Sequence, residues 1–120
     1  MSCAHKGFAK QYRLLGSAEF RRVFKARNKI SGPVAALYLA ANDKAYSRLG
    51  ITVSKKVSKK AVERNRIKRL AREYFRTQRE SLPGQDIVFN AFPGCAELDN
   101  RQLRQTLDKL WRRARKRCER

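Results

Sequence analysis

Apolar residues in this chain fall into alternating helical and strand-like spacings. From Ser17 onward, Phe20, Val23 and Phe24 recur at i, i+3 and i+4, with Arg21, Arg22 and Lys25 on other faces, which predicts a short amphipathic helix. Ser17 is the expected N-cap, Glu19 sits where the helix dipole favours an acid, and Asn28 is the expected stop. Ser31-Gly32-Pro33 breaks the chain, and the apolar run 34–41 is short enough for a strand. Asn42 and Asp43 make a turn. In 47–54, Leu49, Ile51 and Val53 alternate with Arg48, Gly50 and Thr52, so one face of that strand is apolar. A long helix is expected over about 59–79, closed by Leu82-Pro83-Gly84. A further strand spans 86–92 and is stopped by Pro93 and Gly94. Asp99 or Asn100 caps a last helix, striped by Leu103, Leu107, Leu110, Trp111 and Ala114. The order is helix, two or three strands, helix, strand, helix. It predicts an α+β sandwich with the helices segregated on one side of a small mixed sheet. No repeat or linker divides the 120 residues, so 1–120 form a single domain.

Charge changes the picture. Thirty Lys and Arg against ten Asp and Glu give a net charge of +20, which argues for a polyanionic partner rather than for any fold. Residues 53–80 alone hold eleven of those cations against three glutamates. On a helical wheel Ile67, Leu70, Ala71, Tyr74 and Phe75 fall on one side within about 140°. Asn65, Lys68, Arg69, Arg72, Arg76 and Arg79 fall within about 100° on the opposite side, with Arg64 at the boundary. A charge run is ordinarily a solvated face, but such faces intersperse both signs because like charges at i, i+4 repel. This stripe contains no acid, as expected for a surface that meets phosphates. The planar arginine fork suits bidentate phosphate contacts, and Asn65 could read a base edge or a ribose 2′-hydroxyl. Upstream, four lysines of 54–60 surround a helix start where backbone N–H groups and the Ser54 or Ser58 hydroxyl make an anion site. Phe20, Phe24 and Tyr38 could stack on unpaired bases, although Phe at helical spacing is more often core.

Other chemistries lack their residues. No apolar run approaches the roughly 20 residues of a spanning helix, and the first fifteen residues lack the apolar stretch of a secretory signal. Cys3, Cys95 and Cys118 are odd in number and widely spaced, with only His5 to help. That pattern opposes a disulfide framework or a zinc site and fits a reducing cytoplasm. Metal-assisted phosphodiester cleavage needs converging carboxylates, whereas Asp86, Glu97 and Asp99 lie near element ends without ligand spacing. The residues alone therefore predict a cytoplasmic nucleic-acid binder with no catalytic residue of its own. A structural ribosomal protein shares that size and charge. A DNA-binding module fits less well, because the 59–79 helix is charged more uniformly than a base reader requires.

The stretch VSKKVSKKAVERNRIKRLARE, with RNRIKR at its centre, resembles the signature of the bacterial ribonuclease P protein component. YRLLGSAEFRRVFKARNKI resembles that family's first helix, SRLGITVSKK its strand entering the signature, and DIVFNAFPGCAELDNRQLRQTLDKLWRR its last strand and helix. The likeness covers about 11–116. It implies a one-domain fold of order αβββαβα, similar to a domain of ribosomal proteins, with a left-handed β–α–β crossover where general chirality rules predict a right-handed one. It implies the small subunit of a ribonucleoprotein that removes the 5′ leader from precursor tRNA. The RNA subunit would hold the catalytic magnesium ions and perform the hydrolysis, with no DNA or membrane partner. Position by position, Lys60, Arg64, Asn65, Arg66, Lys68, Arg69 and Arg72 would face the RNA subunit. The leader would lie in a cleft between the first helix and the sheet, against Phe20, Phe24, Tyr38, Ser54, Lys55 and Lys56. Two departures stand out. Ser58-Lys59 replaces a common Gly-Asn pair, and Phe92 replaces a common basic residue, which leaves the last strand's end without its charge for the leader.

Overall fold

A computed structural model describes residues 12–118 apart from residue 15; Cys3 and His5 lie outside them. The elements are α1 (Ser17–Lys25), β1 (Asn28–Ser31), β2 (Ala35–Ala41), β3 (Arg48–Thr52), α2 (Ala61–Gln78), β4 (Gln85–Ala91) and α3 (Asn100–Cys118). Short 3₁₀ turns at Arg79–Ser81 and Pro93–Glu97 follow α2 and β4. The order is αβββαβα, as the resemblance implies. The four strands form one sheet in the order β1-β2-β4-β3. β1–β2 and β2–β4 are antiparallel, whereas β3 runs parallel to β4, so α2 is the crossover between them.

Period-two alternation decides which side chains each layer receives. Ile30, Leu37, Leu39, Leu49, Ile87 and Phe89 point to one face and form the main core with Ile67, Leu70 and Phe75 of α2 and Leu103, Leu107 and Trp111 of α3. Trp111 locks the two helices together, standing edge-on to Tyr74 at 5.8 Å and Phe75 at 5.9 Å. Ala40 and Val88 point to the other face and meet Leu14 and Val23, with Phe20, Phe24 and Tyr38 partly buried around them.

Thus the helices are not segregated on one side: α2 and α3 cover one face, and α1 covers part of the other. The reason is visible in β2 and β4, which are buried on both faces over most of their length. Strands of that kind read as continuous apolar runs and demand cover on both sides. Two boundaries also move. Gly16, at φ 83°, precedes α1 with no side-chain capping bond, so Ser17 is the first helical residue and not the cap. Asn28 does not stop α1 but opens β1, after Arg27 turns the chain at φ 58°. At α3 the ambiguity between Asp99 and Asn100 is resolved by a reciprocal cap. The Gln102 N–H donates to Asp99 Oδ1 at 2.8 Å, and the Asp99 N–H donates to Gln102 Oε1 at 3.0 Å, a capping box that satisfies two end donors at once.

The sheet's β3 edge is covered: the Leu14 N–H donates to the Leu49 carbonyl at 3.0 Å and Arg13 bridges Leu49 in parallel. β1 is the opposite edge. Among the described residues no helix is long and apolar enough to cross a membrane.

Candidate nucleic-acid interface

The loop between β3 and α2 repeats one design twice. Val53 and Val57 are buried, whereas Lys55, Lys56, Lys59 and Lys60 are exposed. Each serine turns the chain: Ser54 Oγ accepts from the Lys56 N–H and Ser58 Oγ from the Lys60 N–H, both at 3.2 Å. The serine oxygens are therefore engaged by the loop's own backbone, and the lysines project from a pinned frame. Arg64 braces that frame, donating to the Ser58 carbonyl at 2.8 Å.

Along α2, Ile67, Leu70, Ala71 and Phe75 are buried, and Asn65, Arg69, Arg72 and Arg76 are exposed on the far side, with Lys68 half-buried. Arg76 pairs with Glu73 at 2.9 Å, among the described residues the single acid that reaches this stripe. Among the described residues no carboxylate lies within ion-pair distance of Lys60, Lys68, Arg69 or Arg72. Uncompensated like charges on one helix face disfavour the isolated fold and favour a surface that neutralises phosphates.

Arg66 behaves differently from its neighbours in the RNR stretch. Its guanidinium is half-buried and donates to Asn100 Oδ1 at 2.8 Å, the Leu98 carbonyl at 2.9 Å and Glu63 at 3.2 Å. With its donors occupied, it ties α2 to the segment that starts α3.

The second face of the sheet forms an aromatic cleft. Phe24 stands edge-on to Tyr38 at 4.6 Å. Phe20 lies over Gly50 so closely that a Cβ there would come within 2.5 Å of its ring. Glycine thus lets α1 settle against β3. A small groove of about 160 Å³ beside Phe20 is lined by Arg13, Gly50, Ile51 and Arg72, so a cation of the α2 stripe reaches the rim of the aromatic cleft. Beyond α1 the floor is polar: Thr52 Oγ1 donates to Asn90 Oδ1 at 2.6 Å. On the β1 side, the Lys29 ammonium lies 5.4 Å from the Tyr38 ring and 6.0 Å from the Phe92 ring, within cation–π range. The end of β4 lacks its own basic residue, but Lys29 brings a charge beside it. Thr52 follows from the strand alternation, whereas Asn90 and Lys29 need the sheet's pairing and could not be picked from sequence.

Asp86 fixes α1 over this cleft. It is fully buried, and Arg48 donates to it twice, at 2.9 and 2.7 Å. Asn42 Nδ2 donates at 2.8 Å, and Arg22 of α1 also pairs with it. Arg48 in turn reaches Glu19 of α1 at 2.9 Å. Burial alone would raise the Asp86 carboxyl, but Arg48, Asn42 and Arg22 outweigh it and hold it below the usual carboxylate range. Among the described residues the only fully buried acid is thereby committed to structure, and no three His, Cys, Asp or Glu side chains converge as a metal site. Cys95 is buried and its thiol is pushed up to about 11 by that burial, which keeps it an inert core residue.

Comparison with known proteins agrees with this geometry. A family model for ribonuclease P matches residues 8–115. The ribonuclease P protein component of Pasteurella multocida is 48% identical over 106 residues, covering 88% of this chain and 89% of that one. The Proteus mirabilis protein component is 46% identical over 106 residues with the same coverage. Among solved structures, the RNase P protein of Staphylococcus aureus superposes with a TM-score of 0.81 at 31% identity, covering 86% of this chain and 94% of that one. That of Thermotoga maritima gives 0.75 at 32% identity, covering 84% and 96%. Sequence, fold and family model converge, and the chain belongs to the ribonuclease P protein-component family, which serves tRNA 5′ processing.

Proposed function

We propose that the chain is the binding subunit of the ribonuclease P ribonucleoprotein and that its two surfaces hold two RNAs. The α2 stripe, with Arg64, Asn65, Lys68, Arg69 and Arg72, faces the RNA subunit together with Lys60 of the loop before it. The aromatic cleft, with Phe20, Phe24, Tyr38 and the loop residues Ser54, Lys55 and Lys56, receives the 5′ leader of precursor tRNA. The observation that carries this reading is the sidedness of α2, whose inner face is buried and whose outer face is a row of cations nearly free of acids. Arg72, at the rim beside Phe20, joins the two surfaces. Unstacked leader bases suit the half-buried aromatics, whose faces tolerate any base.

Chemistry in this reading stays on the RNA. Magnesium bound by the RNA subunit supplies the hydrolytic step, while this chain's cations screen RNA–RNA repulsion and so lower the magnesium needed. The chain's site of action would be the cytoplasm. The test is reconstitution with a bacterial ribonuclease P RNA at magnesium concentrations where that RNA alone is nearly inactive. Leader removal should appear on adding the protein, and the protein alone should not cleave. Tight RNA binding without stimulation would favour a structural ribosomal role instead.

A further inference from the structure

At the β1 edge, away from the α2 stripe, a second cationic surface remains unused. Lys109, Arg112, Arg113 and Lys116 lie on one face of α3 at i, i+3, i+4 and i+7 and rim a groove of about 300 Å³ above the Gly32-Pro33 turn. Arg112 is paired with Asp108. Among the described residues no carboxylate lies within ion-pair distance of Lys109, Arg113 or Lys116. As on α2, a row of like charges on one helix face is a cost that a polyanion relieves.

The row is also aimed. Arg113 donates to the Ser31 carbonyl at 2.9 Å, and Arg117 donates to the Lys29 carbonyl and to Asn28 Oδ1, each at 2.9 Å. Both guanidinium groups are therefore stationed along the outer edge of β1 and not left to wave in solvent. Lys29 itself projects to the other face of the sheet, beside Tyr38 and Phe92. Cations thus continue from the cleft, over the β1 edge, to the groove on α3. Strands spaced by about 4.8 Å put β1 roughly 14 Å from β3, so a strand of RNA entering beside Phe20 and crossing the sheet leaves it at Lys29.

We infer that the groove between α3 and the Gly32-Pro33 turn receives the distal part of the same single-stranded RNA, gripping the leader's backbone after it leaves the aromatic cleft. This rests on the leader reading of the cleft and extends it. The contact is to phosphates: Lys109, Arg112, Arg113 and Lys116 rim a floor of Pro33, Thr106 and Leu110, and the lining has no aromatic ring to read a base.

The experiment compares holoenzymes carrying the native chain or Lys109→Gln with Lys116→Gln, two exposed side chains outside the cleft and the α2 stripe. Affinity is measured for mature tRNA, for precursor with a leader confined to the cleft, and for precursor with a leader several nucleotides longer. The native holoenzyme should gain affinity from the cleft-length leader and again from the extension. The double substitution should remove about fivefold of the second gain alone and lower its salt slope by roughly two, and Lys109→Arg with Lys116→Arg should restore both. If the native chain gains from the cleft-length leader but not from the extension, or the substitution changes nothing, the groove is a solvated face. Equal loss on all three tRNAs would assign the surface to the RNA subunit. Unchanged RNA affinity with lost binding to anionic vesicles would assign it to a lipid surface. No gain from any leader in the native holoenzyme would overturn the cleft reading as well.

Discussion

Two residues carry more structural weight than their chemistry in isolation would indicate. Asp86 is buried among Arg48, Arg22 and Asn42, and removing one member of such a pair leaves charge uncompensated, a cost of about 3 kcal/mol. Asp86→Asn should therefore lower stability by about that amount at neutral pH. The carboxyl is held below its unfolded value of about 4, so its contribution is present above that pH and is lost as pH falls through the folded value. Denaturant titrations should show the gap between native and variant closing below about pH 4; a constant gap would mean that the lost charge is not what matters. Arg66 is the second case. Arg66→Ala gives up charged hydrogen bonds to Asn100, Leu98 and Glu63 and should cost about 2 kcal/mol of stability while leaving the salt dependence of RNA binding nearly unchanged. Arg69→Ala, at an exposed position with no ion-pair partner among the described residues, should do the reverse.

At the level of elements, the docking of α1 is governed by one missing side chain. A Cβ at Gly50 would press on Phe20 Cζ at 2.5 Å and on Leu14 Cδ1 at 3.1 Å. Because Phe20 is half-buried at the end of a rotatable side chain, Gly50→Ala should swing the ring outward, with a stability loss of about 1–2 kcal/mol. Affinity for leader-bearing tRNA should fall while that for mature tRNA holds, as a comparison of the two substrates would show; an unchanged affinity for leader-bearing tRNA would place Phe20 in the core only. The same neighbourhood shows what the sequence discloses. The apolar face of β3 follows from Leu49, Ile51 and Val53, and the two sides of α2 follow from its wheel. That wheel also sets Arg66 about 40° from Leu70, off the cationic stripe, so its inward role was legible although the family likeness assigns it to RNA. β1 was not legible from residues, because a strand of four with one buried side chain, Ile30, has no measurable period. The sidedness of α1 was hidden too, since β2 and β4 are apolar on both faces. The Asp86 clamp joins residues 38 and 64 positions apart, and such pairings leave no local pattern.

For the whole molecule, a net charge of +20 destabilises the compact state through self-repulsion, and the fold distributes that charge in a telling way. The buried or tethered cations, Arg48, Arg66 and Arg22, are matched to acids, whereas those of the α2 stripe are largely unmatched. The first group stabilises the fold, and the second stores a repulsion that, in the proposed reading, bound RNA would release. Ligand binding raises stability by mass action, so RNA-subunit fragments should raise the melting temperature of the free protein, most at low salt. Arg69→Ala with Arg72→Ala removes two unmatched charges from an exposed face, so the free protein should melt at the same temperature or slightly higher. The slope of log affinity against log salt for the RNA subunit should shrink by roughly two. Melting curves with and without RNA over a salt series would measure both effects. A variant that melts lower without RNA, at an unchanged salt slope, would show that this stripe supports the fold and leaves the RNA to other cations.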